Sequence, residues 1–203
     1  MTIGKRVFDI LISLALLFCL LPILILVSLL IYLIDGGPVF YLSERMSKPT
    51  ESFQLIKFRT MSVVASESGV SGGDKSQRIT KTGRRIRQMR IDEIPQLVNV
   101  LKGEMSLVGP RPPLRQYVER FPEIYDDVLL SRPGITGLAT LHYHRHEERL
   151  LANTRDLSET DAVYSRTCVP RKARLDIIYQ AHSSLCFDMI IILKTVMQKL
   201  MAR

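Results

Sequence analysis

The chain is 203 residues long, enough for one ordinary domain with a membrane element and too short for two domains with separate cores. Its formal charge of +8 and isoelectric point near 9.6 suit an anionic partner, such as lipid headgroups, nucleic acid or a phosphorylated substrate, and charge alone does not choose among them. Cys19, Cys168 and Cys186 are scattered without CxxC spacing, which indicates neither a disulfide framework nor a zinc site and fits a reducing cytoplasm.

The first predicted element is apolar. No residue between Asp9 and Asp35 is charged, and Ile10 to Ile34 would be about 37 Å long as a straight helix at roughly 1.5 Å per residue. That is enough to cross a hydrocarbon core of about 30 Å. The run is too long for the apolar region of a cleavable signal peptide and lacks a small-residue cleavage site. Hydropathy alone favours a simple spanning helix, but two features favour a re-entrant one. Pro22 lies mid-segment, where it removes a helical hydrogen bond and bends or breaks the helix. Both flanks are basic, with Lys5 and Arg6 before the run and Arg45, Lys48, Lys57 and Arg59 after it. If positive flanks stay in the cytoplasm, a helix that breaks at Pro22 and returns to the same face satisfies both. The expected organisation is a membrane segment over 1–35 and a cytosolic domain over 36–203.

After Gly36-Gly37-Pro38, the stretches Val39-Phe40-Tyr41 and Phe53 to Phe58 read as short extended pieces. Ser66 to Gln77 is rich in serine and glycine and reads as a loop. Lys81 to Arg90 carries Arg84, Arg85, Arg87 and Arg90, which read as surface charge on a helix. The next helix has its own signals: Asp92 as N-cap, Glu93 in the first turn, Pro95 tolerated there, and Gly103 to close it. Ile94, Leu97, Val98 and Leu101 give it a buried stripe. Two stiff turns follow, one presenting Arg111 between Pro110 and Pro112, the other running from Arg132 to Gly137. His142, His144 and His146 alternate, a pattern read as an exposed loop or strand in preference to a metal site. Leu185 to Met201 is an amphipathic helix suited to the core or to a membrane interface.

Asp92 and Glu93 at a helix start have a plain explanation as cap and dipole partners. Capping hydrogen bonds also keep a carboxylate ionised, and an ionised aspartate can act as a covalent nucleophile toward phosphorus. Phosphoryl transfer needs cations around its transition state. Lys57, Arg59, Arg87, Arg90 and Arg111 are the candidates, and Asp92 and Glu93 are plausible oxygen ligands for Mg²⁺.

The run from Arg90 through Asp92-Glu93-Ile94-Pro95-Gln96 to Val108-Gly109-Pro110-Arg111-Pro112 resembles the hallmark of the bacterial sugar transferases known as monotopic phosphoglycosyl transferases. Lys57-Phe58-Arg59-Thr60-Met61, Arg78-Ile79-Thr80 and Arg132 to Gly137 support it, as do Pro170-Arg171-Lys172, Leu175-Asp176, Ser184-Leu185 and Asp188. The likeness spans nearly the whole chain and is to minimal members of that family. It implies transfer of a sugar 1-phosphate from a UDP-sugar to a polyprenol (undecaprenyl) phosphate, with UMP released and Mg²⁺ as cofactor. Asp92 would attack the phosphorus nearer the sugar and carry a phosphosugar intermediate. Glu93 would order the metal or a proton, and Arg111 with a base from Lys57 to Arg59 would bind phosphate. The implied setting is the cytoplasmic face of a bacterial inner membrane. Nucleic acid has no part in that reading, and a homodimer is compatible with it.

The chain departs from the family pattern at Ser43-Glu44-Arg45-Met46-Ser47, at Leu138 in place of a tryptophan, and at Leu21-Pro22 in place of Ser-Pro. These positions bear on sugar and uridine contacts and on the membrane break rather than on the core reaction. A membrane-tethered nucleic-acid binder would use the same charge but has no need of Asp92-Glu93 and lacks interleaved aromatics. A scaffold is the other rival. The fold class expected is α+β, mainly helical, with a re-entrant helix-break-helix and a small cytosolic domain bearing interfacial amphipathic helices.

Overall fold

The computed structural model describes residues 1–63 and 77–201. Of the expected loop from Ser66 to Gln77, all but Gln77 lies outside the described residues. The chain is mainly helical. Helix α1 (Ile3–Asp35) leads into a hairpin of β1 (Phe40–Met46) and β2 (Ser52–Phe58), then α2 (Lys81–Met89) and α3 (Gln96–Lys102). Strand β3 (Ser106–Val108), α4 (Arg115–Arg120), α5 (Pro122–Val128) and β4 (Gly134–Thr136) follow. The remaining elements of the described chain are helical: α6 (Leu138–Ala152), α7 (Leu157–Val163), a π-helical turn (Tyr164–Cys168), α8 (Val169–Ala181) and α9 (Leu185–Met201).

Thr2 starts α1, its hydroxyl accepting from the Lys5 N–H at 3.3 Å. The helix is long and apolar enough to cross a membrane by length and composition. Helical structure runs through Pro22, where the sequence leads one to expect a break between two helices. Proline removes only one N–H from the ladder, and in an apolar run the other backbone groups have no alternative partner, so one lost bond does not end the helix.

Both ends of α1 are fastened to the same domain. Near its start, the fully buried Asp9 accepts from Ser106 Oγ at 2.8 Å and from the Leu107 N–H at 3.3 Å. Arg6 donates to the carbonyls of Val100 (2.6 Å) and Leu101 (2.8 Å), at the C-terminal end of α3 where the helix dipole is negative. Lys5 pairs with Asp188 of α9. Near the other end, Val27 and Ile31 pack against Phe58 and Ile86. There Arg59 donates to the carbonyls of Asp35, Gly36 and Gly37, and the Thr80 hydroxyl donates to Asp35 at 3.0 Å. Between these ends Leu14, Phe18, Leu21, Ile25 and Leu26 are exposed, an apolar surface too continuous for water.

β1 and β2 pair antiparallel, Phe40 opposite Phe58 and Met46 opposite Ser52. β1 therefore extends well beyond the three residues that the sequence marks. The outer edge of β2 is covered by one side chain: Asn99 on α3 donates to the Gln54 carbonyl at 2.7 Å and accepts from the Ile56 N–H at 3.0 Å. The amide thus does what another strand would do. α3 closes at Gly103, whose φ of 88° is the left-handed conformation that glycine adopts without strain.

Where the sequence reads as a stiff turn over Arg132 to Gly137, the structure has strand β4, which pairs with the strand leading into the Arg111 turn. β3 and β4 run parallel, Ser106 beside Gly134 and Val108 beside Thr136. A Cβ on Gly134 would lie 2.1 Å from the Gly109 nitrogen, so only glycine permits this backbone approach. The pairing leads into the Pro110-Arg111-Pro112 turn, whose two prolines are buried and whose arginine is half-buried. His142, His144 and His146 sit on α6 rather than on a loop or strand; His142 and His146, at i, i+4, share an exposed face, and half-buried His144 points away from them. α9 has the span expected; Ile191 is buried, while Met189, Ile190, Leu193, Val196 and Met197 are exposed.

Replacing Asn99 by leucine keeps an apolar-compatible volume but leaves the Gln54 carbonyl and Ile56 N–H unpaired. Urea unfolding is expected to show a loss of roughly 2–4 kcal/mol; a loss below about 0.5 kcal/mol would contradict the strand-like role.

Candidate active site

The site is built where α2 ends. Thr80 caps that helix, its hydroxyl accepting from the Gly83 N–H at 2.8 Å. Arg90 ends it in left-handed conformation, φ 55° and ψ 25°, which is uncommon for a residue with a side chain. The chain then makes a tight 3-10 turn, Ile91–Glu93. Pro95 has no N–H to offer the Ile91 carbonyl, and the Ile94 N–H takes it instead at 3.1 Å. As a result α3 begins only at Gln96 with Pro95 at its cap position. Asp92 is therefore not the N-cap that the sequence signals imply: its turn has no side-chain cap bond.

Glu93 is the buried centre of the site. Its Oε1 accepts from Lys57 Nζ at 3.2 Å and from Arg111 Nη2 at 3.1 Å; its Oε2 accepts from Arg90 Nε at 3.2 Å and Nη2 at 2.6 Å. Burial by itself would raise this carboxyl, but the charges of Lys57, Arg111 and Arg90 outweigh it and hold Glu93 well below the usual range. The three cations come from β2, the end of α2 and the turn after β3, so one carboxylate draws three parts of the chain together. Arg90 also touches His144 of α6, which pairs with Glu148 at 3.1 Å.

Asp92, beside it, makes no hydrogen bond or ion pair among the described residues. It lines a cleft of about 1210 Å³ together with Lys57, Arg87, Arg111 and Arg45. Burial raises its carboxyl, as does Glu93, while Lys57, Arg87 and Arg90 oppose the rise. Neighbouring cations, not capping bonds, are thus what favour its ionised form. An uncommitted carboxylate facing a cleft among cations can attack an electrophile bearing negative charge, phosphorus above all.

The structure brings Asp92, Glu93, Lys57, Arg87, Arg90 and Arg111 together. Arg59 has a different role. Although it lines the cleft, its guanidinium is engaged by the three carbonyls at the end of α1. Pro22 lies in the exposed middle of α1, away from the cleft. Arg45 is a cleft residue that the sequence marks only as a basic flank of the apolar run. Its Nε is buried without a hydrogen-bond partner, and burial with the charge of Arg111 nearby lowers its guanidinium to about 10. The only signal was its place as the odd cation of the β1 segment. Sequence also gave no sign that His144 meets Arg90.

A magnesium ion takes oxygen ligands and commonly shares phosphate oxygens with one or two carboxylates. Asp92 offers oxygens without competitors. Glu93 already accepts four hydrogen bonds, the number of lone-pair positions on a carboxylate, so it reaches an ion only by releasing a cation. No three histidine, cysteine, aspartate or glutamate side chains cluster among the described residues. The residues fit an ion held mainly by a phosphorylated ligand, with Asp92 as the protein's readiest oxygen donor.

Comparison with known proteins gives a consistent result. The family model described as bacterial sugar transferase matches residues 1–202. The chain is 35% identical over 196 residues to the UDP-N-acetylgalactosamine-undecaprenyl-phosphate N-acetylgalactosaminephosphotransferase of Aeromonas hydrophila, covering 95% of this chain and 42% of that protein. It is 35% identical over 207 residues to the undecaprenyl-phosphate glucose phosphotransferase of Komagataeibacter xylinus, covering 98% of this chain and 36% of that protein. With the exopolysaccharide production protein PSS of Rhizobium leguminosarum bv. phaseoli it shares 37% identity over 209 residues, covering 97% and 94% of the two chains. The chain thus spans less than half of the first two relatives and nearly all of the third.

Burial lowers the Lys57 ammonium to about 8, against the pull of Glu93. A cation at this position is therefore present below that pH and lost above it. Sulfate, whose own charge is constant in this range, is expected to bind more weakly at pH 9.5 than at pH 7 by isothermal titration calorimetry, and Lys57→Arg should flatten the difference. Equal wild-type affinity at both values would refute the assignment.

Proposed function

The chain belongs to the bacterial sugar transferase family, and from that premise we propose that it transfers a sugar 1-phosphate from a UDP-sugar to undecaprenyl phosphate. The observation that carries this reading is Asp92, a carboxylate without partners beside a cation cluster already fixed by Glu93. One Asp92 oxygen attacks the phosphorus nearer the sugar. The bond from that phosphorus to the oxygen bridging the two phosphates breaks, and the bridging oxygen leaves with UMP. A phosphate oxygen of undecaprenyl phosphate then attacks the same phosphorus, and the Asp92 carboxylate is released. The sugar's anomeric bond is untouched, so its configuration is kept.

Lys57, Arg87, Arg111 and Arg45 face the cleft and bind the diphosphate, their charge countering what spreads over the phosphoryl oxygens. Glu93 is the positioning residue that holds Lys57, Arg90 and Arg111. Magnesium, held by Asp92 and the donor's phosphate oxygens, would supply further neutralisation of the diphosphate. The nucleic-acid reading is not favoured: the cations of the site converge on Glu93 inside the fold instead of forming an outward stripe.

The same proposal includes the membrane. A soluble nucleotide sugar and a lipid phosphate meet at headgroup level on the cytoplasmic face of the inner membrane. Because both ends of α1 are tied to one domain, α1 enters and leaves by that face. The exposed apolar side of α9 lies in the same interface.

With Mg²⁺, undecaprenyl phosphate and a panel of UDP-sugars, the purified protein is expected to release UMP, and Asp92→Asn to reduce release at least about 10³-fold. Folded protein inactive across a broad panel would oppose the reading. In a cysteine-free background, single cysteines at Thr2 and Lys48 should react with an impermeant maleimide from the same side of the membrane. Labelling from opposite sides would mean a spanning helix.

A further inference from the structure

The cleft continues past the phosphate-binding end. Arg111 is influenced by Glu147 and Tyr164 as well as by Glu93, and Arg45 lies near Arg111 and Tyr164. Beyond them Lys172 of α8 donates to the Tyr164 hydroxyl at 3.3 Å and to Glu147 at 3.1 Å. Tyr125 and Asp176 complete this part of the wall, where α5 and α6 pack on α8.

Asp176 is the anomaly here. It is 5% exposed, its Oδ1 is buried with no hydrogen-bond partner, and it nevertheless lines the cleft. Lys172, one turn earlier on the same helix, is engaged elsewhere. Burial pushes the Asp176 carboxyl up to about 7. Leaving a buried acceptor unmatched costs stability, and packing alone would be served better by an apolar side chain. An acceptor of this kind on a cleft wall matches a ligand that donates.

The chemistry at Asp92 says which part of a ligand reaches it. In a phosphoryl transfer the attacking and leaving oxygens are roughly in line, so UMP departs on the side away from Asp92. Arg45 lies near both Arg111 and Tyr164, and so connects the phosphate-binding end of the cleft with the wall that carries Asp176. Tyr164 and Tyr125 shape the wall, Asp176 accepts from a base N–H or a ribose hydroxyl, and Lys172, over the Tyr164 ring at 5.0 Å, adds positive charge.

Resting on the transfer reaction above, we propose that Asp176, with Lys172, Tyr164 and Tyr125, forms the subsite for the nucleoside of the leaving UMP. The transferred sugar lies outside this pocket, so donors that differ only in their sugar share it.

Calorimetric binding of UMP, UDP-glucose and UDP-N-acetylgalactosamine to the full-length chain tests this. Asp176→Leu removes the acceptor and an unmatched buried group, so at pH 8 it should melt no lower than the wild type. Its affinity for all three ligands should fall at least about tenfold, with kcat at saturating donor changed far less than KM. Loss confined to the UDP-sugars would place the transferred sugar there and overturn the proposal, as would unchanged affinity for all three. If Asp176→Leu does not fold, Asp176→Asn gives the same readout, with at least threefold weaker UMP binding expected and unchanged binding counting against. Wild-type protein that turns over a UDP-sugar while the variants bind normally refutes the subsite alone; wild-type protein that binds no UMP refutes the transfer reaction as well.

Discussion

The carboxylate of Glu93, shared by Lys57, Arg90 and Arg111, is the interaction on which the site depends. Burying one anion among three cations is favourable only when the geometry satisfies every lone pair, and here four hydrogen bonds do so. Removing the charge would leave three cations facing one another with no anion between them. Each cation comes from a separate piece of chain, so the cluster also fixes how the hairpin, the end of α2 and the turn after β3 meet. What remains is Asp92, next in sequence, near the same positive charge and bound to none of it. The division of labour between the two acids follows from the 3-10 turn, which sends their side chains to different surroundings.

A second constraint ties this cluster to the membrane element. Lys57 and Arg59 are two residues apart at the end of β2. Lys57 meets Glu93, while Arg59 engages the last carbonyls of α1. Through these two neighbouring side chains the end of the apolar helix is connected to the Glu93 cluster. At the opposite end of α1, Asp9, Arg6 and Lys5 reach β3, α3 and α9. Polar ties at both ends leave the apolar middle of a helix long enough to span bare.

Much of this was legible in the residues. The apolar run, Gly103 as a helix stop and the extent of α9 are all local signals, and the structure agrees with them; the turn expected over Arg132 to Gly137 is instead largely strand β4, because its pairing partner β3 is distant in sequence. Resemblance marks the Asp92-Glu93 segment, but its local signals point to a cap that the structure does not have. An Asp followed by a Glu before an apolar stripe looks like a cap, and only the missing N–H of Pro95, seen with the left-handed Arg90, delays α3 to Gln96. Pro22 invited a break that the helix does not show. Long-range partners were out of reach: nothing local separates Arg59, bound to a helix end, from Lys57, bound to Glu93. Lys172 and Asp176 likewise resemble an ordinary surface pair at i, i+4 spacing until α5 and α6 bury them.

In the proposed reaction Asp92 alone forms the covalent bond, while Glu93 only positions cations. Peptide-level mass spectrometry of the protein quenched after reaction with a UDP-sugar, with no acceptor lipid present, tests this most directly. The expected result is one phosphosugar per chain, on Asp92, and the same site at a lower level in Glu93→Gln. An adduct on Glu93, or none on either acid while UMP is still released, would contradict it.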